Sequence, residues 1–142
     1  MIHDDAPAGV IVALHRATHA TLHALGSRLA GLDLSAPDIN VLANLADGAR
    51  RTVGALATAT GTRPSTLTSL LDRLTRRGYI VRESDPADRR SFVVRLTPAG
   101  RIAAAHAAEA IAELERQSLA MVTPQQRAGF HALIDALTEV SG

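Results

Sequence analysis

The chain has 142 residues, of which 46% are hydrophobic and only 2% aromatic, so one domain with an aliphatic core is expected. Cysteine is absent, which excludes disulfides, thiol redox sensing and thiolate metal sites. No apolar run approaches the roughly 20 residues that span a bilayer. The amino terminus lacks the basic and apolar regions of a signal peptide, so we expect a cytoplasmic protein.

Charge is distributed unevenly along the chain, although the formal net charge is only +1. All 15 basic residues are arginine, and eleven of them lie in residues 50–101 beside four acids, which gives this segment a net charge of +7. The remainder has four arginines and ten acids, a net charge of −6. A basic segment on an acidic body is typical of proteins that bind nucleic acid. A solvated charged surface is the alternative.

Two helices are predicted in the first third of the chain. Apolar residues at helical spacing predict a helix over 9–30 that ends near Gly31. A second helix begins at Ser35, which can cap its amino terminus, with Asp38 three residues later, and it ends near residues 47–48. Its predicted buried stripe consists of Ile39, Leu42 and Leu45.

The next two predicted helices are separated by a glycine. A short helix follows Thr52 and ends at Gly61. Another helix covers 64–77 and is followed by Gly78, the residue type expected just after a helix. Its apolar positions have the spacing of an amphipathic helix, and they are Leu67, Leu70, Leu71 and Leu74.

The sequence period then changes to that of β-strands. Segments 79–82 and 91–96 are rich in β-forming residues, and the polar, proline-containing segment 83–90 between them predicts a hairpin. Threonine-proline pairs then precede a long helix over 98–121 and a last helix over 124–140. The expected fold class is therefore mainly α with a small β-hairpin.

This order of elements, two helices, a turn, a third helix and a hairpin, is typical of a winged helix-turn-helix. In such folds the second helix of the helix-turn-helix lies in the major groove of DNA. The helix over 64–77 has a polar face whose hydroxyl and guanidinium groups can bond bases or phosphates. That face comprises Ser65, Thr66, Thr68, Ser69, Arg73, Arg76 and Arg77. An amphipathic surface helix without a partner is the alternative.

The hairpin turn gives a second indication of DNA binding. Arg89 and Arg90 are adjacent in that turn, where they are poorly placed for a hydrophobic core. Arginine is attracted to the narrow minor groove of A·T-rich DNA. We therefore predict that the hairpin places arginine in a minor groove.

Several spaced motifs resemble the signature of the MarR family. They lie in segments 65–80, 85–90 and 96–101, and they include Asp72-Arg73-Leu74, Arg77-Gly78, Asp88-Arg89-Arg90 and Leu96-Thr97-Pro98-Ala99-Gly100. The surrounding helices fit as well, so the resemblance covers nearly the whole chain. It implies a homodimeric transcriptional regulator, commonly a repressor, that binds double-stranded DNA. In many members of that family a small molecule releases the DNA.

The resemblance also implies a domain organisation. Residues 1–142 would form a single MarR-like domain, in which 35–97 is the winged helix-turn-helix lobe. The helices over 9–30 and 98–140 would form the dimer interface. Two-fold symmetry then places two recognition helices roughly 34 Å apart, which requires a pseudo-palindromic operator.

The family pattern assigns roles to individual residues. Arg90 would enter the minor groove, Asp88 would orient the arginines, and Arg89 would hold a phosphate or an intramolecular partner. Asp72 would pair with an arginine of the wing or of a neighbouring helix. Arg63 departs from the small capping residue of many relatives, so either the preceding threonine caps the recognition helix or Arg63 contacts a phosphate.

Three histidines of the first helix are candidate ligand-binding residues. His15, His19 and His23 are four residues apart and share one face. They can be polar neighbours of a dimer interface, line an effector pocket or sense pH, or bind a metal as an adjacent pair with further ligands. These interpretations stay open, although no spacing matches a known zinc motif. His106 and His131 are predicted to be packing residues.

An enzyme is the main alternative class of protein. The chain has no cysteine nucleophile, no glycine-rich phosphate loop and no nucleophile elbow. Asp85 and Asp88 are close in sequence, but salt bridges with nearby arginines explain them more simply than catalysis. A winged helix used only for protein contacts is a third class, and the polar face of 64–77 argues against it. We therefore expect no catalytic residues and no cofactor.

Overall fold

The computed structural model describes residues 9–142, which fold mainly into α-helices. The helices are α1 (Val10–Arg28), α2 (Ala36–Leu45), α3 (Val53–Thr60), α4 (Pro64–Arg76), α5 (Pro98–Leu119) and α6 (Pro124–Ser141). The strands are β1 (Arg51–Thr52), β2 (Ile80–Ser84) and β3 (Phe92–Leu96). The predicted absence of a signal peptide concerns the amino-terminal segment, whose first eight residues lie outside the described residues. No helix of the described part is long and apolar enough to cross a membrane.

The chain divides into two compact units, one up to Ala110 and the other over Ile111–Gly142. The first unit contains α1 to α4, the sheet and the first part of α5. The second unit contains the end of α5 and all of α6. Two reciprocal hydrogen bonds cap the start of α6. The Thr123 hydroxyl accepts one from the backbone N–H of Gln126 (3.2 Å), and the Gln126 side chain accepts one from the backbone N–H of Thr123 (2.9 Å).

Local capping determines where α2 begins. The Ser35 hydroxyl accepts a hydrogen bond from the backbone N–H of Asp38 (3.4 Å), and Asp38 Oδ2 accepts one from the backbone N–H of Ser35 (2.9 Å). These reciprocal bonds confirm the predicted cap. The predicted stripe behind it is at most 1% exposed, and it consists of Ile39, Leu42 and Leu45.

The two helices of the helix-turn-helix, α3 and α4, meet at a turn made by glycine. Gly61 ends α3 with a φ of +65°, a conformation that favours glycine. Arg63 occupies the position that caps α4, without a side-chain cap hydrogen bond, so the preceding Thr62 is not the cap. The predicted apolar face of α4 is at most 4% exposed, and it consists of Leu67, Leu70, Leu71 and Leu74.

The predicted hairpin is part of a three-stranded antiparallel sheet with the strand order β1-β3-β2. β2 and β3 pair over five residues, in a register that sets Arg82 opposite Val94. β1 pairs with the other edge of β3 and sets Arg51 opposite the same Val94. The sequence gives no indication of β1, because two residues cannot display the alternating pattern of a strand.

The beginning of α5 packs closely against the chain that follows α4. The Thr97 hydroxyl donates a hydrogen bond to the Gly78 carbonyl (2.6 Å) and accepts one from the backbone N–H of Gly100 (2.9 Å). A Cβ atom added at Gly100 would lie 1.8 Å from the carbonyl oxygen of Tyr79, so only glycine fits this contact. The Leu-Thr-Pro-x-Gly motif is therefore a structural joint between the end of α4 and the start of α5.

Candidate nucleic-acid interface

α4 presents small hydroxyl side chains to solvent. The exposed hydroxyl residues are Ser65, Thr66, Thr68 and Ser69. Arg63 is also exposed and provides no cap, so the first N–H groups of the helix lack that partner. The free N–H groups and the helix dipole at this end favour a phosphate. The hydroxyl face and the amino-terminal end of α4 therefore suit close contact with nucleic acid.

Arg73 contacts α2, although the sequence pattern places it on the polar face of α4. Its Nη2 lies 2.6 Å from Asp38 Oδ1 and 3.1 Å from the Ser35 hydroxyl, and its Nε lies 3.2 Å from the same carboxylate oxygen. The Asp38 side chain is 2% exposed, whereas 43% of the Arg73 side chain is exposed. The guanidinium of Arg73 is thus engaged within the protein.

Arg77 is also held by the protein. Its Nη1 donates to the carbonyl of Asp33 (2.6 Å) and its Nη2 donates to the carbonyl of Leu32 (2.8 Å). The guanidinium carbon lies 5.3 Å from the centre of the Tyr79 ring, within the range of a cation–π contact. Arg76, the neighbouring residue, is exposed. Arg76 therefore differs from Arg73 and Arg77, whose guanidinium groups bind oxygens of the protein.

A salt bridge joins α4 to the wing, which we define as β2, β3 and the turn between them. Asp72 Oδ1 lies 2.6 Å from Arg82 Nη2. Arg82 is in β2, so the prediction that Asp72 pairs with an arginine of the wing is confirmed. Both side chains are partly exposed, so the pair contributes about 1 kcal/mol or less to stability. Its main effect is to fix the direction of the Arg82 side chain.

A second ion pair crosses the two strands of the wing. Arg95 Nη2 on β3 lies 2.7 Å from Glu83 Oε1 on β2. The hydrogen bond from Arg95, helped by its positive charge, lowers the pKa of Glu83 below its ordinary value. The two residues are offset in the register by two positions, a diagonal arrangement that long side chains can bridge. The wing is thus tied together on its exposed side.

The turn at the tip of the wing is organised by its two aspartates. Asp85 Oδ1 accepts a hydrogen bond from the backbone N–H of Ala87 (3.0 Å). Asp88 Oδ1 accepts one from the backbone N–H of Arg90 (3.0 Å), and its Oδ2 accepts one from the Ser91 hydroxyl (3.2 Å). Both Arg89 and Arg90 are exposed. Asp88 therefore acts on the backbone of the turn that bears the arginines.

An open groove of about 530 Å³ lies beside the hydroxyl face of α4. Its walls come from α4, the wing and the start of α3. The positive side chains that line it are Arg82 and Arg90. The other lining residues are Thr52, Val53, Gly54, Thr68, Leu71, Ser91 and Phe92. An arginine-lined groove next to an exposed hydroxyl helix suits a polyanion such as a nucleic-acid backbone.

The histidines do not form a cluster in the described part of the chain. His15, His19 and His23 are exposed on α1. Residues 9–142 contain no group of three or more histidine, aspartate or glutamate side chains that could hold a metal ion. His106 and His131 are exposed in the single chain, so burial there does not support the prediction that they are packing residues. The His131 ring does contact Phe130 edge-on, with 5.9 Å between the ring centres. A ligand role for the histidines of α1 stays a prediction.

The helix-turn-helix of α3 and α4, followed by the wing, is a winged helix-turn-helix, a fold of DNA-binding proteins. Among solved structures, the chain is similar to the transcriptional repressor CouR bound to a 23-mer DNA duplex. The two sequences are 28% identical, and the comparison covers 94% of this chain and 93% of that chain with a TM-score of 0.71. It is also similar to a cysteine-to-serine mutant of MarR from E. coli complexed with operator DNA. The sequences are 25% identical, and the comparison covers 88% of this chain and 90% of that chain with a TM-score of 0.74.

The winged-helix segment is similar in sequence to a known family. Residues 32–91 match the sequence model of the MarR family. The uncharacterized HTH-type transcriptional regulator YcgE of Bacillus subtilis (strain 168) is 40% identical over 75 residues, which cover 53% of this chain and 44% of that protein. The chain thus spans less than half the length of this curated relative. Residues 32–91 are thus similar to the MarR family, and the fold and the relatives of the chain are those of transcriptional regulators rather than enzymes.

Sequence reasoning missed two residues of this region. Arg82 lines the groove and pairs with Asp72, and its position in β2, next to the basic turn, was the available signal. Asp38 was interpreted only as a capping residue, yet it also binds Arg73. Its place beside the buried stripe of α2 was the signal, since a buried carboxylate needs a cationic partner.

Proposed function

We propose that this chain is a sequence-specific, double-stranded DNA-binding transcriptional regulator that acts as a homodimeric repressor on a pseudo-palindromic operator. The observation that carries the proposal is the side of the first unit formed by the hydroxyl face of α4, the groove and the exposed wing tip. On this surface exposed hydroxyl residues, a helix amino terminus and exposed arginines lie within reach of one extended polyanion. The Thr68 hydroxyl donates to the Pro64 carbonyl (2.9 Å) and can still accept a hydrogen bond. Two similar proteins, CouR and MarR, have solved structures in complex with DNA, which supports DNA as the partner of this chain.

The proposed contacts fall into three groups. The hydroxyl residues of α4 contact base edges or nearby phosphates in the major groove, and they are Ser65, Thr66, Thr68 and Ser69. Arg63 and Arg76, at the two ends of α4, contact phosphates. Arg89 and Arg90 contact the minor groove and its phosphates, with Asp88 holding the turn. Arg73 and Arg77, for which the sequence predicts DNA contacts, are left out of this set because protein oxygens occupy their guanidinium groups.

The dimer is proposed from apolar side chains that the single chain leaves in water. On α1, Val10, Ile11 and Val12 are each about half exposed. On α6, Phe130 is 55% exposed and Leu133 is 40% exposed, and none of the residues of α6 is buried. Soluble proteins rarely leave large apolar patches uncovered. We assign a second copy of the chain as the cover, in agreement with the two-fold symmetry of the proposed operator.

Repression is proposed to be relieved by a small-molecule effector. The proposal follows from the resemblance to the MarR family and from the exposed histidines of α1. A ligand can lower DNA affinity only if it binds the DNA-free form more tightly than the DNA-bound form. His19→Ala is expected to change the response to an effector found by screening more than it changes DNA affinity. An unchanged response would remove His19 from the effector site.

Selection from random DNA tests the central part of this proposal. The wild-type protein is expected to enrich a common pseudo-palindromic duplex, and its affinity should fall steeply as salt rises because several phosphates are contacted. Ser69→Glu, which places a negative charge on the hydroxyl face, should abolish binding. The same substitution on α5, Ser118→Glu, is the matched control and should leave binding intact. Enrichment of no duplex, or equal loss in both variants, contradicts the proposed function.

A further inference from the structure

Asp38 is a buried charged residue, with only 1% of its surface exposed. Its Oδ2 is used at the start of α2, where it accepts hydrogen bonds from the backbone N–H (2.9 Å) and the hydroxyl (2.7 Å) of Ser35. Its Oδ1 accepts two hydrogen bonds from Arg73, from Nε at 3.2 Å and from Nη2 at 2.6 Å. Arg73 therefore supplies the positive charge that allows this carboxylate to be buried.

Arg77 makes a similar contact one helical turn further along α4. It donates to the carbonyl oxygens of Leu32 and Asp33. Residues four apart lie on the same side of a helix, so both arginines bind one continuous stretch of chain. We call this stretch, residues 32–38, the junction segment, because it contains the last part of the connection between α1 and α2 and the first turn of α2.

These hydrogen bonds define the rotation of α4 about its own axis more sharply than its leucines do. Apolar packing is not directional, whereas charge-assisted hydrogen bonds fix both distance and angle. A rotation of roughly 20° moves a side chain at a helix radius of about 5 Å by roughly 2 Å. A displacement of that size breaks a hydrogen bond to a base edge. The contacts to the junction segment are therefore placed to fix the rotation at which α4 presents its hydroxyl face.

We propose that Arg73 and Arg77 are positioning residues, which set the rotation of α4 against the junction segment and so determine how well its hydroxyl face discriminates between base sequences. This rests on the proposed function. It replaces the direct base contact that the sequence suggests for Arg73. An arginine that left Asp38 to bind a base would leave a buried carboxylate without its cation, which is strongly unfavourable.

Three glutamine variants on α4 test the inference, since each removes one positive charge from the same helix. Arg73→Gln and Arg77→Gln disturb the proposed positioning, and Arg76→Gln is the matched control on the exposed side. The probes are the duplex that wild-type protein selects from a random library, single-base variants of that duplex, and a duplex of random sequence. Each binding constant is measured over a range of salt concentrations.

The two positioning variants are expected to behave differently from the control. Arg73→Gln and Arg77→Gln should weaken binding to the selected duplex by about tenfold, within the range of coupling between contacting residues. Discrimination should fall at several base positions of each half-site, while affinity for random duplex and its salt dependence stay unchanged. Arg76→Gln should weaken binding to both duplexes and lower the salt slope by about one, as expected when one phosphate contact is lost.

A double-mutant cycle separates positioning from direct contact. Asp38→Asn removes the partner of Arg73, so Arg73→Gln should add little further loss of discrimination in that background. Thermal unfolding of each variant shows whether it folds, since Arg73→Gln leaves the Asp38 charge buried. Arg77→Gln leaves no buried charge behind, because the acceptors of Arg77 are carbonyl groups. If the other variants do not fold, the base discrimination of Arg77→Gln alone tests the positioning role.

Several results overturn the inference. A loss confined to one base position, a lower salt slope on random duplex, or a full Arg73→Gln effect in the Asp38→Asn background would show that Arg73 contacts DNA directly. Unchanged discrimination in folded Arg73→Gln and Arg77→Gln would also overturn it, while the proposed function would stand. A wild-type protein that selects no duplex would instead contradict the proposed function itself.

Discussion

The arginines of α4 and the wing differ in what their guanidinium groups contact. Arg73 and Arg77 bind oxygens of the junction segment, Arg82 binds Asp72, and Arg89 and Arg90 are exposed at the wing tip. Sequence alone does not distinguish these groups, because the acceptors that capture Arg73 and Arg77 lie far from them along the chain. The position of an arginine on a polar helix face therefore does not by itself identify a DNA contact.

Arg90→Ala tests the proposed role of the wing tip. The exposed guanidinium should contribute through electrostatic attraction to a narrow minor groove rather than through recognition of individual bases. We expect weaker binding to selected and random duplexes alike, with a salt slope lower by about one. The measurement is a salt-dependent binding titration, with Arg127→Ala on α6 as the charge-matched control. An Arg90→Ala variant with wild-type affinity for both duplexes would contradict the minor-groove assignment.

Gly100→Ala tests the joint between the end of α4 and the start of α5. The added methyl group would meet the Tyr79 carbonyl at 1.8 Å, and the backbone must move to relieve that contact. We expect a loss of about 3 kcal/mol in the free energy of unfolding, typical of severe overpacking. Gly129→Ala on α6 is the control, because a Cβ there meets nothing within 4 Å. It should stabilise its helix by up to about 1 kcal/mol, and equal effects of the two substitutions would be inconsistent with the close contact.

At the scale of secondary-structure elements, the sequence predicted what depends on near neighbours. The cap of α2 is formed by Ser35 and Asp38, three residues apart, and the structure confirms it. The leucine stripe of α4 is equally local and is confirmed. β1 was not predicted, because Arg51 and Thr52 become a strand only by pairing with distant residues of β3. What the sequence did not reveal is therefore set by tertiary contacts.

The ion pair across the wing leads to a pH-dependent prediction. The hydrogen bond and charge of Arg95 lower the pKa of Glu83, so the folded state favours the ionised carboxylate. The contribution of the pair to stability should be present above pH 4.5, the ordinary pKa of the group, and should be lost as the pH falls through the lower folded pKa. In an NMR titration Glu83 should titrate below 4.5, and Arg95→Gln should move its pKa upward. An identical titration in both proteins would show that the strands are not joined by this pair.

At the scale of the whole molecule, the exposed apolar side chains predict a dimer. Leu133→Asp places a charge on a side chain that is 40% exposed in the single chain, so it should weaken association without unfolding the protein. Gln125→Asp adds the same charge elsewhere on α6 and is the control. Analytical ultracentrifugation should find dimers for wild type and Gln125→Asp and monomers for Leu133→Asp. A monomeric wild-type protein at micromolar concentration would refute the dimer.

The most direct test of the account is to map where DNA touches the protein. Backbone amide signals of isotope-labelled wild-type protein would be followed by NMR as the selected duplex is added. The largest shifts are expected at the start of α4, through the hydroxyl residues up to Ser69, and at the wing tip around Arg89 and Arg90. Small shifts at both places, with the largest changes on α6 or on the histidine face of α1, would contradict the assignment of α4 and the wing as the DNA-binding surface.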